Sequence, residues 1–188
     1  MARAPSEEPE GLVYRPELLS IEEEADLLEI LESLRFDPIV LHGQEARRTG
    51  RHFGLDYDYT ARTPLPGEPI PAWLEPVRAR AAELGGFEPE ELVEILAQRY
   101  PPGATIGWHR DAPAFGTVLG VSVGGASRLR FQRGKSEDRR VWEVLLEPRS
   151  GYVLAGKARS SWQHSIPPTK ELRYSITFRT LRHASKPA

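Results

Sequence analysis

The chain predicts an α+β fold, with helices packed on one side of a β-sandwich or jelly roll. Helical periodicity is confined to the first half, and from Leu92 onward the pattern changes to short β-type runs separated by turn residues. A length of 188 residues suits a single domain with a real hydrophobic core.

Residues 1–11 are polar and proline-containing and read as a disordered tail ahead of one domain over residues 12–188. Leu12 to Leu19 reads as a short entry strand and turn. Ser20-Ile21-Glu22-Glu23 is a capping box, with Ser20 as N-cap and Glu23 reaching back. Ile21, Ala25, Leu28 and Leu31 then recur at helical spacing, and the run Glu22-Glu23-Glu24 is a solvated first turn favoured by the helix dipole. Residues 42–71 are rich in Arg, Gly, Tyr and Pro without clear periodicity, which predicts loops and a short ribbon, where binding residues tend to sit. Pro71 to Leu84 predicts a second helix, opened by Pro71 and stopped by Gly85-Gly86. Candidate strands of a core over residues 92–182 are Glu94–Tyr100, Gly107–His109, Thr117–Val123, Ser127–Gln132, Val141–Leu146, Gly151–Ala155 and Leu172–Leu181. Gly124-Gly125 reads as a hairpin turn and Arg133 to Arg139 as a charged loop.

Composition narrows the function classes. The absence of Cys excludes disulfides, thiolate metal sites and Cys nucleophiles, and agrees with a reducing compartment. The polar N-terminus has no apolar signal region, and no apolar run approaches a membrane span. A soluble, cytoplasmic, monomeric protein with no membrane partner is expected. Net charge is −2, so no global positive field announces nucleic acid.

The chemistry sits in two motifs. His109-Arg110-Asp111, with His164 farther on, supplies two imidazoles and a carboxylate, the facial triad of non-haem Fe(II) oxygenases. On a strand, His109 and Asp111 share a face. Zn²⁺ competes for such a set, but zinc hydrolases need a nearby base and no pair of arginines. The second motif is Arg173-Tyr174-Ser175-Ile176-Thr177-Phe178-Arg179, whose polar members alternate with apolar ones. On an inner face the two arginines require an anionic partner and suit a diacid such as 2-oxoglutarate; on an edge strand they would simply face water. Tyr100, before a Pro-Pro-Gly turn, offers a further hydroxyl donor. Arg47, Arg48, Arg51 and His52, interleaved with Phe53, Tyr57 and Tyr59, read either as a nucleic-acid lid or as a surface ribbon with core aromatics. Trp108 and Arg159 are candidate pocket residues, and Arg128, Arg130 and Arg133 form a solvated basic cluster.

These residues carry a resemblance. Gln98-Arg99-Tyr100-Pro101-Pro102-Gly103-Ala104-Thr105-Ile106-Gly107-Trp108-His109-Arg110-Asp111 resembles the signature segment of the AlkB family of Fe(II)- and 2-oxoglutarate-dependent dioxygenases. Arg173 to Arg179 is similar to that family's arginine segment, Trp162 to Ile166 to its second-His segment, and Phe53 to Tyr59 to the end of its lid. The likeness covers residues 45–182. It implies a double-stranded β-helix core with the N-terminal helices on one sheet. It implies Fe(II), 2-oxoglutarate and O2 as cofactor and cosubstrates, and oxidative N-demethylation with loss of formaldehyde. His109, Asp111 and His164 would be the catalytic iron ligands. Arg173 and Tyr100 would bind the distal carboxylate, with Gln98 and Ser175 close by, and Arg179 the end nearer the metal. Gln98 and Ser175 stand where the family's repair members carry Asn, Pro113 where they carry an acidic base-reading residue, and Gly50 near the place of the lid tryptophan.

The expected function is therefore an Fe(II)/2-oxoglutarate dioxygenase that demethylates alkylated bases in single-stranded DNA or RNA. Arg51, Phe53, Tyr57, Tyr59, Trp108 and Arg159 are its candidate substrate residues. The alternatives are the same chemistry on a protein or small molecule, and a non-catalytic binding module.

Overall fold

The computed structural model describes residues 7–41, 43–58, 61 and 63–182, and its strands form two antiparallel sheets. The larger has eight strands. Seven run in the order β1 (Leu12–Arg15), β10 (Ser150–Leu154), β7 (Phe115–Gly124), β12 (Arg173–Leu181), β5 (Leu92–Tyr100), β3 (Gln44–Asp58) and β2 (Asp37–Leu41), and β4 (Thr63–Pro66) pairs with the end of β3. The smaller runs β6 (Ile106–His109), β11 (Gln163–Ile166), β8 (Ser127–Arg133) and β9 (Arg140–Leu146). This is the expected jelly roll, with helices α1 (Ile21–Ser33) and α2 (Glu75–Gly85) on the large sheet and a short α3 (Gly156–Ser160) before β11.

Strand alternation makes the layers. Tyr174, Ile176 and Phe178 of β12 join Leu31 of α1 and Val77 and Ala81 of α2 in one core. The intervening polar residues of β12 face the small sheet, where Tyr100, Leu129, Phe131, Trp162 and Ile166 form a second core. Each fully buried Leu or Phe contributes roughly 2 kcal/mol. The helices are sealed as their sequences predict. Ser20 Oγ accepts from Glu23 N at 3.1 Å, and Ser20 N donates to Glu23 Oε2 at 2.8 Å. Glu23 Oε1 also accepts from Arg80 of α2 at 2.9 Å, tying the helices together. Pro71 opens a 3-10 turn over Ala72–Leu74 before α2, and Gly86 ends it in the left-handed region at φ 72°.

Three expectations are corrected. Residues 42–71 are not mainly loop: β3 is a 15-residue strand lying between β2 and β5. Its periodicity is masked because Arg48 and His52, which are polar, lie on the same side of the sheet as the polar interior residues of β5. Gly124-Gly125 is not a hairpin turn, since β7 and β8 belong to different sheets; it is the corner where the chain crosses between them. The segment read as a tail is docked from Pro9 onward, where Glu10 and Gly11 carbonyls accept from Ala158 N (2.7 Å) and Ala155 N (2.9 Å). No helix among the described residues is long and apolar enough to cross a membrane.

Gly54 marks the point where β3 leaves β5 for β4. Its φ is 77°, and an added Cβ would fall 2.2 Å from the Val93 carbonyl oxygen. Its N–H donates to Glu68 O at 2.6 Å and its carbonyl accepts from Gly67 N at 2.8 Å. Gly54→Ala is expected to lower unfolding stability by about 2 kcal/mol or more, combining left-handed strain with a backbone clash; urea denaturation monitored by circular dichroism checks this.

Candidate active site

The site lies between the two sheets, and register assembles it. His109 and His164 are directly opposed on β6 and β11, with ring centroids 4.3 Å apart. Asp111 follows two residues beyond the end of β6 and presents Oδ2 3.3 Å from His164 Nε2. One ligand atom from each of the three residues lies within 4.8 Å of the others, a spacing suited to a single ion. His109 Nδ1 lies 2.9 Å from Gly107 O, so the proton placed there leaves Nε2 as the free lone pair.

Electrostatics shapes each ligand. Burial, reinforced by His164, pushes the His109 imidazole down to about 4, so it is neutral and able to ligate at pH 7. Burial alone would raise the Asp111 carboxyl, but Arg179 overrides it and holds the group well below the usual carboxylate range. Arg179 Nε and Nη2 both donate to Asp111 Oδ1, at 3.0 and 2.7 Å. Asp111 Oδ2 is buried and has no hydrogen-bond partner. The carboxylate is thus oriented, with one oxygen held by Arg179 and the other left for a metal. Arg179 is itself shared, since its Nη1 donates to Glu94, which is 2% exposed. Glu94 is occupied by this pairing, which argues against its serving as the base of a zinc hydrolase.

On the large sheet, three strands align their interior residues in rows. Tyr100, Arg173 and Gly124 form one row, Gln98, Ser175 and Ser122 the next, then Leu96, Thr177 and Gly120, then Glu94, Arg179 and Val118. Gly120 leaves room for the ring of Tyr152 on the neighbouring strand, whose Cζ lies 2.2 Å from where a Cβ would stand. Arg173 is 1% exposed and donates from Nε to Ser122 Oγ at 2.9 Å, while its Nη1 has no partner. Its guanidinium lies 5.1 Å over the Tyr100 ring, and Tyr100 donates to Gln98 Oε1 at 3.2 Å. Burial raises the hydroxyls of Tyr100 and Tyr152 above their ordinary range, so both stay protonated donors. Arg173 therefore sits inside the protein without an ion-pair partner among the described residues, an arrangement that calls for an anionic ligand.

The expected substrate residues are placed differently. Phe53 packs in the helix-side core, edge-on to Trp73 at 5.8 Å, and Arg51 beside it grips Glu68 at 2.8 Å and the Arg35 carbonyl at 3.2 Å. Both lie on the side of the sheet away from the site. Trp108 stacks under Arg130 at 5.3 Å, and Arg130 lies on the face of the small sheet opposite Phe131 and His164. Tyr57 does reach the site side, 5.7 Å from Phe115, whose ring lies 5.8 Å from the Arg179 guanidinium. Arg159 is near the metal ligands as a brace: it donates to the carbonyls of Ala112 (2.8 Å), Gly116 (2.9 Å) and Phe115 (3.0 Å), and more weakly to that of Asp111 (3.4 Å). Tyr59 lies outside the described residues. Sequence reading missed Glu94 and Tyr152; the available signal for Glu94 was a carboxylate on the same strand face as Gln98 in an otherwise apolar run.

A His-Asp-His cluster able to hold one ion and a buried arginine without an ion-pair partner among the described residues, inside a jelly roll, suit the class of 2-oxoglutarate-dependent non-haem iron oxygenases. The model of the 2OG-Fe(II) oxygenase superfamily matches residues 11–179. The chain is 29% identical over 173 residues to the tRNA (carboxymethyluridine(34)-5-O)-methyltransferase ALKBH8 of Mus musculus, covering 86% of the chain but 25% of that protein. It is 31% identical over 149 residues to the alpha-ketoglutarate-dependent dioxygenase AlkB of Salmonella typhimurium, covering 70% of the chain and 65% of that protein. Its fold matches the structure of OsALKBH1 with a TM-score of 0.69 at 15% identity, over 92% of this chain and 97% of that one. The chain belongs to the AlkB family of 2-oxoglutarate- and Fe(II)-dependent dioxygenases, and its cofactor and cosubstrates are Fe(II), 2-oxoglutarate and O2.

Two outcomes follow from this geometry. Arg159→Lys, which loses the fork that holds the 112–116 carbonyls, is expected to weaken Mn(II) binding by about tenfold, read by titration of the metal-free protein. The metal-free protein is expected to lose stability as pH falls from the ordinary His range toward about 4, because the unfolded chain takes up a proton that folded His109 refuses. Denaturation midpoints across that range should decline in wild type and less so in His109→Ala.

Proposed function

We propose that this dioxygenase oxidatively demethylates alkylated bases in single-stranded DNA or RNA, with His109, Asp111 and His164 as the metal ligands. When bound, Fe(II) and 2-oxoglutarate supply O2 activation, with succinate and CO2 as coproducts. The protein groups prepare that event. Arg173 and Tyr100 receive the distal carboxylate, Gln98 and Ser175 line its path, and Arg179 keeps Asp111 oriented with one oxygen free. The carrying observation is that the strand face whose Arg179 holds Asp111 also carries Arg173, a buried cation without an ion-pair partner among the described residues. Support for a nucleic-acid substrate comes from relatives named for tRNA and for alkylated DNA repair. Exposed Arg47 and Arg110, on segments adjoining the site, suit phosphates, and an unpaired or flipped base meets the steric need. The cysteine-free composition agrees with a reducing compartment such as the cytoplasm. A protein or small-molecule substrate is the second reading, favoured by Arg51 and Phe53 lying on the side of the sheet away from the site.

The test is anaerobic reconstitution with Fe(II), 2-oxoglutarate and a panel of short methylated oligonucleotides, following succinate and formaldehyde after O2 is admitted. Formaldehyde from one substrate, absent in His109→Ala, is the expected result. Succinate without formaldehyde moves the assignment to protein or metabolite, and neither product from iron-loaded protein counts against oxygenase activity. Arg173→Gln is expected to raise KM for 2-oxoglutarate by roughly ten- to a hundredfold, the cost of a lost charge-assisted hydrogen bond, as steady-state kinetics would show.

A further inference from the structure

Arg48 is another buried arginine without a carboxylate partner among the described residues. It is 6% exposed and lies on β3 one residue beyond the Thr49–Arg99 pair, on the side of the sheet that carries Tyr100. Its Nη1 makes one long hydrogen bond, 3.3 Å to the Thr105 carbonyl, and its Nε is buried without a partner. Like Arg173, it has no carboxylate partner among the described residues. Both guanidiniums act on the same phenol, each favouring ionisation of Tyr100 against its burial. An isolated guanidinium inside a protein is costly. Each retains an unused buried donor, Nε on Arg48 and Nη1 on Arg173. A carboxylate has two oxygens to accept them.

We infer that Arg48 is a second binding residue for the distal carboxylate of the cosubstrate, so that two guanidiniums on either side of Tyr100 select a dicarboxylic 2-oxoacid. The inference rests on the reading of Arg173 as the cosubstrate clamp and adds a partner from a different strand. It reassigns Arg48 from a lid facing nucleic acid to the interior.

The test titrates 2-oxoglutarate and the monocarboxylate 2-oxobutyrate into Mn(II)-loaded full-length wild type, Arg48→Gln, Arg48→Lys and Arg173→Gln by calorimetry, with melting temperatures of the ligand-free proteins. The expected result is a loss of 2-oxoglutarate affinity of roughly ten- to a hundredfold in Arg48→Gln and partial recovery in Arg48→Lys. Affinity for 2-oxobutyrate should be unchanged, and the ligand-free melting temperature should not fall. Unchanged 2-oxoglutarate affinity in Arg48→Gln overturns the inference. So does an equal loss for both acids, or a lowered melting temperature without a change in selectivity. If Arg173→Gln also leaves 2-oxoglutarate affinity intact, the cosubstrate site itself is misassigned; if Arg173 matters and Arg48 does not, only the present inference fails.

Discussion

Arg179, held between Asp111 and Glu94, is the interaction on which the site depends. Three buried charges are tolerated there because each hydrogen-bonds an opposite one. The grouping carries one more negative than positive charge, which suits a divalent cation. It also determines which Asp111 oxygen is free, since Oδ1 is taken by Arg179 and Oδ2 points to His164. At the other end of β12 the balance reverses, with Arg173 and Arg48 on the strands flanking Tyr100 and without a carboxylate partner among the described residues. One strand face therefore has a net negative end beside the His-Asp-His cluster and a positive end at Arg173. That division of polarity, more than any single ligand, fits a cosubstrate that chelates at one end and is charged at the other.

The jelly roll makes this division possible. The large sheet supplies the arginines from the two end rows of one strand face, and the small sheet supplies both histidines from one cross-strand pair. Asp111 is on neither sheet, so its place depends on the turn after β6. Arg159 of α3 secures that turn by donating to several of its carbonyls, which converts a loop residue into a rigid ligand. The helices are remote from the chemistry. They cover the apolar side of the large sheet and so force its polar residues inward.

Much of this was readable in the chain where local physics decides. The capping box at Ser20 follows from short-range hydrogen bonding, and the alternation of Arg173 to Arg179 from the two-residue repeat of a strand. Reading failed where the determinant was a distant neighbour. β3 looked like loop because its Arg and His side chains meet an interior that is itself polar, which erases the usual alternation. Gly124-Gly125 carried a hairpin signature, yet the chain uses the same flexibility to turn a corner between sheets. Arg51 and Phe53 looked like a lid, but β3 directs them at Glu68 and Trp73.

The sequence by itself determined the candidate ligand types, the paired arginines and the change from helices to strands at Leu92, because these are properties of spacing and periodicity. The tertiary structure alone decided which cations are neutralised. Glu94 meets Arg179 through strand pairing between β5 and β12, while Arg173 and Arg48 meet no acid among the described residues, and no local pattern records that difference. Charge compensation inside a protein is a property of neighbours in space, and in an antiparallel jelly roll those neighbours are brought together by register from far apart in the chain.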